Sequence, residues 1–99
     1  MELKTFQEKI VEFGNQWGKK RNFTISEQST FNHLVEEVGE LAREYVNKEE
    51  RKEKYSDEEL KNSMGDAIMH LFILADLKGW DVEEIVTKII EDEQKELES

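Results

Sequence analysis

HLVEEVGELAREYV, residues 33–46, decides how this chain reads. Together with Phe31, the apolar residues Leu34, Val35, Val38, Leu41, Ala42, Tyr45 and Val46 recur at steps of three and four. That is the period of a helix with one apolar stripe. At roughly 100° per residue, His33, Glu37, Glu40 and Glu44 form a second, polar stripe along one flank. Glu37 and Glu40 stand three apart and are surface neighbours, and carboxylates so placed repel unless something positive sits between them. Hard oxygen ligands suit Mg²⁺, Mn²⁺ or Ca²⁺. A solvated acidic face on an acidic protein accounts for the same residues equally well.

A second stretch answers the first. In GDAIMHLFILADL, residues 65–77, only His70 and Asp76 interrupt the apolar run that follows Asp66. A helix that is apolar nearly all round is buried, either in the domain centre or at a subunit interface. Asp66 is therefore expected to be buried, and a buried carboxylate stays ionised only if it is paired or bound to metal. A salt bridge to lysine or arginine is the alternative to a cation. Gly39 directly precedes Glu40, and Gly65 directly precedes Asp66. Glycine within a helix costs ~1 kcal/mol relative to alanine. It is tolerated where a ligand or another backbone must come close, so a bound ligand and close helix packing both explain the pair.

Ninety-nine residues make one small domain, and 36% apolar against 38% charged is a polar mixture. A chain of this size buries only a modest core, which makes an oligomer sharing its core the expectation. The formal charge of −10 opposes binding to DNA or RNA, whose phosphates call for a basic surface. It does not oppose a nucleotide whose phosphates are bridged by metal ions. With no cysteine there is no disulfide, zinc thiolate site or thiol nucleophile. MELKTFQEKI is amphipathic rather than signal-like, and no apolar run is long enough to cross a bilayer. The chain reads as cytoplasmic, without a membrane partner. It has no proline, and its helical periods point to an all-α, four-helix bundle.

Taken in order, Leu3, Phe6, Ile10, Phe13 and Trp17 mark a first helix over residues 2–17, with Gly14 and Gly18 weakening its last turn. Lys19, Lys20 and Arg21 follow, beside Trp17 and Phe23. Cations there can meet phosphate while an aromatic ring stacks on a base. They equally suit the C-terminal end of a helix dipole. Ser26 or Ser29 caps the second helix, which runs to about residue 47. KEERKEKYSDEE is an exposed connection. Ser56 and Glu59 form a capping box for a third helix over residues 57–78, ending at Gly79. Asp81 with Glu84 caps a fourth, which carries Val82, Ile85, Val86, Ile89 and Ile90 on one face and frays in its polar last turns.

The two organising stretches, in this order and spacing, resemble the MazG-like all-α nucleoside triphosphate pyrophosphohydrolases. The first family motif, E-E-x-x-E, is present as Glu36-Glu37-Val38-Gly39-Glu40, followed by Leu41 and Ala42. Of the second, E-x-x-D, Gly65 and Asp66 are kept, while Ser63 stands where the glutamate belongs. The resemblance implies that Glu37, Glu40 and Asp66 ligate Mg²⁺, with Mn²⁺ as a substitute. It implies hydrolysis of an NTP or dNTP between the α- and β-phosphates, giving NMP and pyrophosphate. Glu36 points away from the Glu37–Glu40 stripe by helical geometry, so its role is at most supporting. Trp17, Lys20, Arg21 and His70 are the expected substrate contacts, with buried packing the alternative for His70. Ser63 removes one carboxylate, and Asn62 or Glu59 would have to approach to replace it. A homodimer or homotetramer is expected. Two other classes stay open: a family member that binds nucleotide or a partner without turnover, and a structural helical oligomer.

Overall fold

Two serines and an aspartate set where the helices begin. A computed structural model of the chain describes residues 2–99. It contains α1 (Leu3–Lys20), α2 (Glu27–Glu50), α3 (Asp57–Leu77) and α4 (Val82–Glu98), with a 3₁₀ turn at Lys52–Lys54 and no strand among the described residues. The all-α, four-helix expectation holds.

Ser26 caps α2: its side chain accepts from the Ser29 amide, and the Ser29 side chain reciprocally accepts from the Ser26 amide. At α3 only half of the expected box forms. Ser56 accepts from the Glu59 amide, but the Ser56 amide donates instead to Glu44 Oε1, 3.0 Å away on α2. Glu44 is thereby buried and structural, tying the start of α3 to the preceding helix. The C-terminal end of α3 closes as a Schellman motif. The Trp80 amide bonds the Ala75 carbonyl, the Gly79 amide bonds the Asp76 carbonyl, and Gly79 takes φ +75°.

Helix α1 runs three residues beyond the expected end, straight through both glycines. A Cβ on Gly14 would lie 2.9 Å from Ile73 Cδ1, and one on Gly18 would lie 3.1 Å from the Phe23 carbonyl oxygen. Both glycines therefore let α3 and the following loop pack close, and that packing offsets their poor helix propensity. Helix α4 likewise stays helical through its polar last turns to Glu98 rather than fraying.

Contacts between residues 33 and 70, 40 and 63, and 44 and 56 run in opposite sequence directions, so α2 and α3 form an antiparallel pair. Helix α1 lies on α3, where Phe6 meets Phe72 edge-on at 5.7 Å. Ile10, Ala67, Phe72 and Ala75 are the buried apolar residues. Helix α4 packs on α1. Gln7 joins these parts from a buried position: its Nε2 donates to the Trp80 carbonyl at 3.1 Å, and its Oε1 accepts from the Val82 amide at 3.0 Å. That amide belongs to the first turn of α4 and has no partner within its own helix. Gln7→Ala should cost about 2 kcal/mol, because it strands a part-buried carbonyl and amide together. Urea unfolding of both proteins checks this, and a change within about 0.5 kcal/mol would show that α4 is held by its apolar contacts alone.

The chain is open for its length. Its radius of gyration is 16.4 Å, against about 13 Å for a compact domain of this size. The reason lies in α2. The polar flank, not the apolar stripe, is turned towards α3. Phe31, Val35, Val38 and Tyr45 each keep half or more of their surface exposed. Met64, Ile68 and Leu71 form a second exposed apolar row on α3. No helix among the described residues is long and apolar enough to cross a membrane.

Candidate active site

Because α2 turns its polar flank inward, the acidic residues meet α3 across the helix pair. Glu37 lies deepest. Its Oε2 is buried and has no hydrogen-bond partner. Burial raises the Glu37 pKa, the negative charges of Glu40 and Asp66 and a hydrogen bond with Glu40 raise it further, and His70 opposes them. The expectation for Asp66 is corrected here. Asp66 is exposed, because a single chain leaves that side of α3 open, whereas Glu37 is half-buried with its Oε2 shielded from solvent. Glu36 is exposed as expected, with His33 Nδ1 3.9 Å from its Oε2.

Among the described residues, no three acidic or histidine side chains stand as a formed metal shell. Glu40 and Asp66 are nevertheless each close enough to Glu37 for their charges to act on it. An orphaned, buried carboxylate oxygen beside two further carboxylates has the chemistry of a hard-cation site. Neither Gly39 nor Gly65 has anything within 4 Å of where a Cβ would sit. Close packing within the chain therefore explains neither glycine.

A cleft of about 430 Å³ opens beside these acids. Its lining combines the acids Glu37 and Asp66, the histidines His33 and His70 and the aromatic Phe13, Trp17 and Phe23, with Ile25, Thr30, Met69 and Ile73. The rings form a chain of contacts. Trp17 meets Phe23 edge-on at 6.4 Å, Phe23 meets His33 at 5.7 Å, and His33 lies 5.7 Å from His70. His70 Nδ1 is 2.7 Å from the Asp66 carbonyl oxygen. A carbonyl only accepts, so Nδ1 carries the proton, and Nε2 of the neutral ring is an acceptor.

Of the expected substrate contacts, the structure brings Trp17 and His70 to the cleft. Lys20 is exposed in the last turn of α1 and is not among the lining residues. Arg21 stacks on the Trp17 ring, with Cζ 5.3 Å from its centroid. Phe23, named beside the basic run, lines the cleft as well, and Phe13, Thr30 and His33 line it without having been expected as substrate contacts. In the sequence Phe13 reads as part of an apolar helix face, and His33 as a packing residue on the polar flank.

The raised pKa of Glu37 carries a pH prediction. Below the ordinary value of 4.5 the group is protonated in the folded and unfolded chains alike. Between that value and the raised one, the folded chain binds more protons, so stability falls as pH rises. Above the raised value the whole penalty is present. With chelator present, the protein should melt below its Glu37→Gln variant at pH 7, with the gap closing towards pH 4. A gap constant with pH would show that the carboxylate carries no such penalty.

The MazG nucleotide pyrophosphohydrolase domain family matches residues 25–95 of the chain. Among solved structures, the crystal structure of the Bacillus-conserved MazG protein, a nucleotide pyrophosphohydrolase, superposes with a TM-score of 0.69 at 23% identity. The match covers 93% of this chain and 88% of that one, and at this identity it shows a shared fold. No curated protein matches the chain.

Proposed function

The chain belongs to the MazG nucleotide pyrophosphohydrolase family, and from this premise we propose that it hydrolyses a nucleoside triphosphate, NTP or dNTP, to NMP and pyrophosphate with the help of Mg²⁺. The observation that carries the reading is the buried, unpartnered Glu37 Oε2 beside Glu40 and Asp66. Glu37, Glu40 and Asp66 would hold the cation, for which Mn²⁺ is a chemical substitute. When bound, it would neutralise the triphosphate and polarise the attacking water.

The chain's own residues do the positioning. The aromatic residues of the cleft, Phe13, Trp17 and Phe23, offer faces and edges on which a base can stack. Glu37 and Asp66, in the same cleft, would face the phosphates through the cation. His70 is held by the Asp66 carbonyl and lines the same cleft, where it would meet the sugar or the phosphates. Lys20 and Arg21, at the end of α1, supply positive charge near Trp17 against the acidity of the rest. We assign the activity to the cytoplasm, where nucleoside triphosphates are made and used, with no nucleic-acid polymer or membrane as partner.

We further propose a homo-oligomer, a homodimer or homotetramer, in which a second copy covers the exposed α2 row of Phe31, Val35, Val38 and Tyr45. An apolar row of this kind marks an association surface. The testing experiment incubates a panel of NTPs and dNTPs with protein and Mg²⁺ and resolves pyrophosphate from orthophosphate. The proposal expects pyrophosphate and NMP in equal amounts. Orthophosphate with NDP would contradict it. Ser63 favours a second reading, nucleotide binding without turnover. In that case no product forms, while a nonhydrolysable triphosphate with Mg²⁺ still raises the melting temperature.

A further inference from the structure

His70 stands one helical turn after Asp66 on α3, half-buried, and lines the cleft with Trp17, Phe23 and His33. Its Nδ1 lies 2.7 Å from the Asp66 carbonyl oxygen. A carbonyl has lone pairs and no proton, so this contact needs the proton on Nδ1. The bond also fixes the ring's direction. Nε2 lies across the imidazole from Nδ1 and is turned away from the carbonyl of its own helix. In the neutral ring it offers only a lone pair. The neighbouring ring, His33, stands beside it with 5.7 Å between centroids, its own Nδ1 towards Glu36. Ionised phosphate and carboxylate oxygens are acceptors, and neither can bond such an atom. A sugar hydroxyl can donate to it. In order of contact, His70 comes between the aromatic pair and an acid: Trp17 meets Phe23, Phe23 meets His33, His33 meets His70, and His70 bonds the Asp66 backbone. The sugar has the same place in a nucleotide, between base and phosphates.

We propose that His70 is a specificity-determining residue whose Nε2 accepts a hydrogen bond from a sugar hydroxyl, 2′ or 3′, of the bound nucleotide. This inference rests on the reading of the cleft as the nucleotide site. The test is a calorimetric titration of the full chain, at about pH 8 where imidazole is ordinarily neutral, with an α,β-methylene triphosphate and Mg²⁺. The probe carries the base that binds tightest and, in turn, ribose, 2′-deoxyribose, 3′-deoxyribose or 2′,3′-dideoxyribose. The unaltered protein should bind the dideoxy probe about fivefold more weakly than the ribose probe, the scale of one neutral hydrogen bond. The two single-deoxy probes then show which hydroxyl is read. His70→Phe keeps a ring and loses the acceptor. It should weaken the ribose probe by about the same factor and leave the dideoxy probe unchanged. His70→Gln, whose amide oxygen can stand where Nε2 stands, should recover part of the preference. His70→Asn reaches only the Nδ1 position and should not. An equal loss on all probes in the Phe and Asn variants would make His70 a phosphate contact or a packing residue, overturning the proposal and leaving the nucleotide site standing. A dideoxy probe bound by the unaltered protein as tightly as the ribose probe would do the same. No binding of any probe would overturn both. Should His70→Phe fail to fold, His70→Asn, which can still donate to the Asp66 carbonyl, decides.

Discussion

Glu37→Gln should lower the rate of triphosphate hydrolysis by roughly two to three orders of magnitude, the scale of losing one electrostatic contact to a transition state. The same change should raise the melting temperature in chelator. Glutamine keeps the shape of the side chain and removes a buried charge whose Oε2 has no partner. It should also abolish the rise in melting temperature that Mg²⁺ gives the unaltered protein. These effects point in opposite directions for one reason: the carboxylate is costly to fold and useful once a cation meets it. Activity retained within a factor of three, measured as pyrophosphate release, would remove Glu37 from the site.

Val35→Glu should convert the oligomer to a monomer. Val35 lies on α2 in the row with Phe31, Val38 and Tyr45, and 53% of its surface is free in the single chain. Covered by a second copy, a glutamate there would be buried without a partner and would cost several kcal/mol. That corresponds to at least a thousandfold loss of association. Light scattering at micromolar concentration separates the states: the single chain has a mass of 11.7 kDa, and the unaltered protein should show a multiple of it. A monomeric unaltered protein would contradict the oligomer. An oligomeric Val35→Glu would move the interface off this row.

The starts of α2, α3 and α4 were legible because each has a capping side chain of its own, Ser26, Ser56 and Asp81, while α1 was read from its apolar period alone. The closeness of Glu37 and Glu40 was legible because spacing alone makes them neighbours on one flank. What the spacing does not say is which flank of α2 turns inward. An apolar stripe normally marks the core side, and here it faces outward while the polar flank packs on α3. The same inversion explains the error over Asp66. Its apolar run suggested burial, yet α3 of a single chain is open on that side, and the shielded carboxylate oxygen belongs to the half-buried Glu37. Gln7 and Glu44 were not legible as structural residues. Each makes its decisive bond to a backbone group distant in sequence: Gln7 to Trp80 and Val82, Glu44 to Ser56. The cleft was half legible. Trp17 and His70 stood out by type, but Phe13 and Thr30 carry no mark until α1 is laid on α3.

The central claim, that Glu37, Glu40 and Asp66 together hold the cation that meets the triphosphate, is tested most directly by a crystal structure with Mg²⁺ and an α,β-methylene triphosphate bound. The predicted result is a cation about 2.1 Å from carboxylate oxygens of all three residues, bridged to phosphate oxygens, with the base in the cleft against Trp17. A nucleotide bound elsewhere, or a cation that leaves Glu37 Oε2 without a partner, would contradict it.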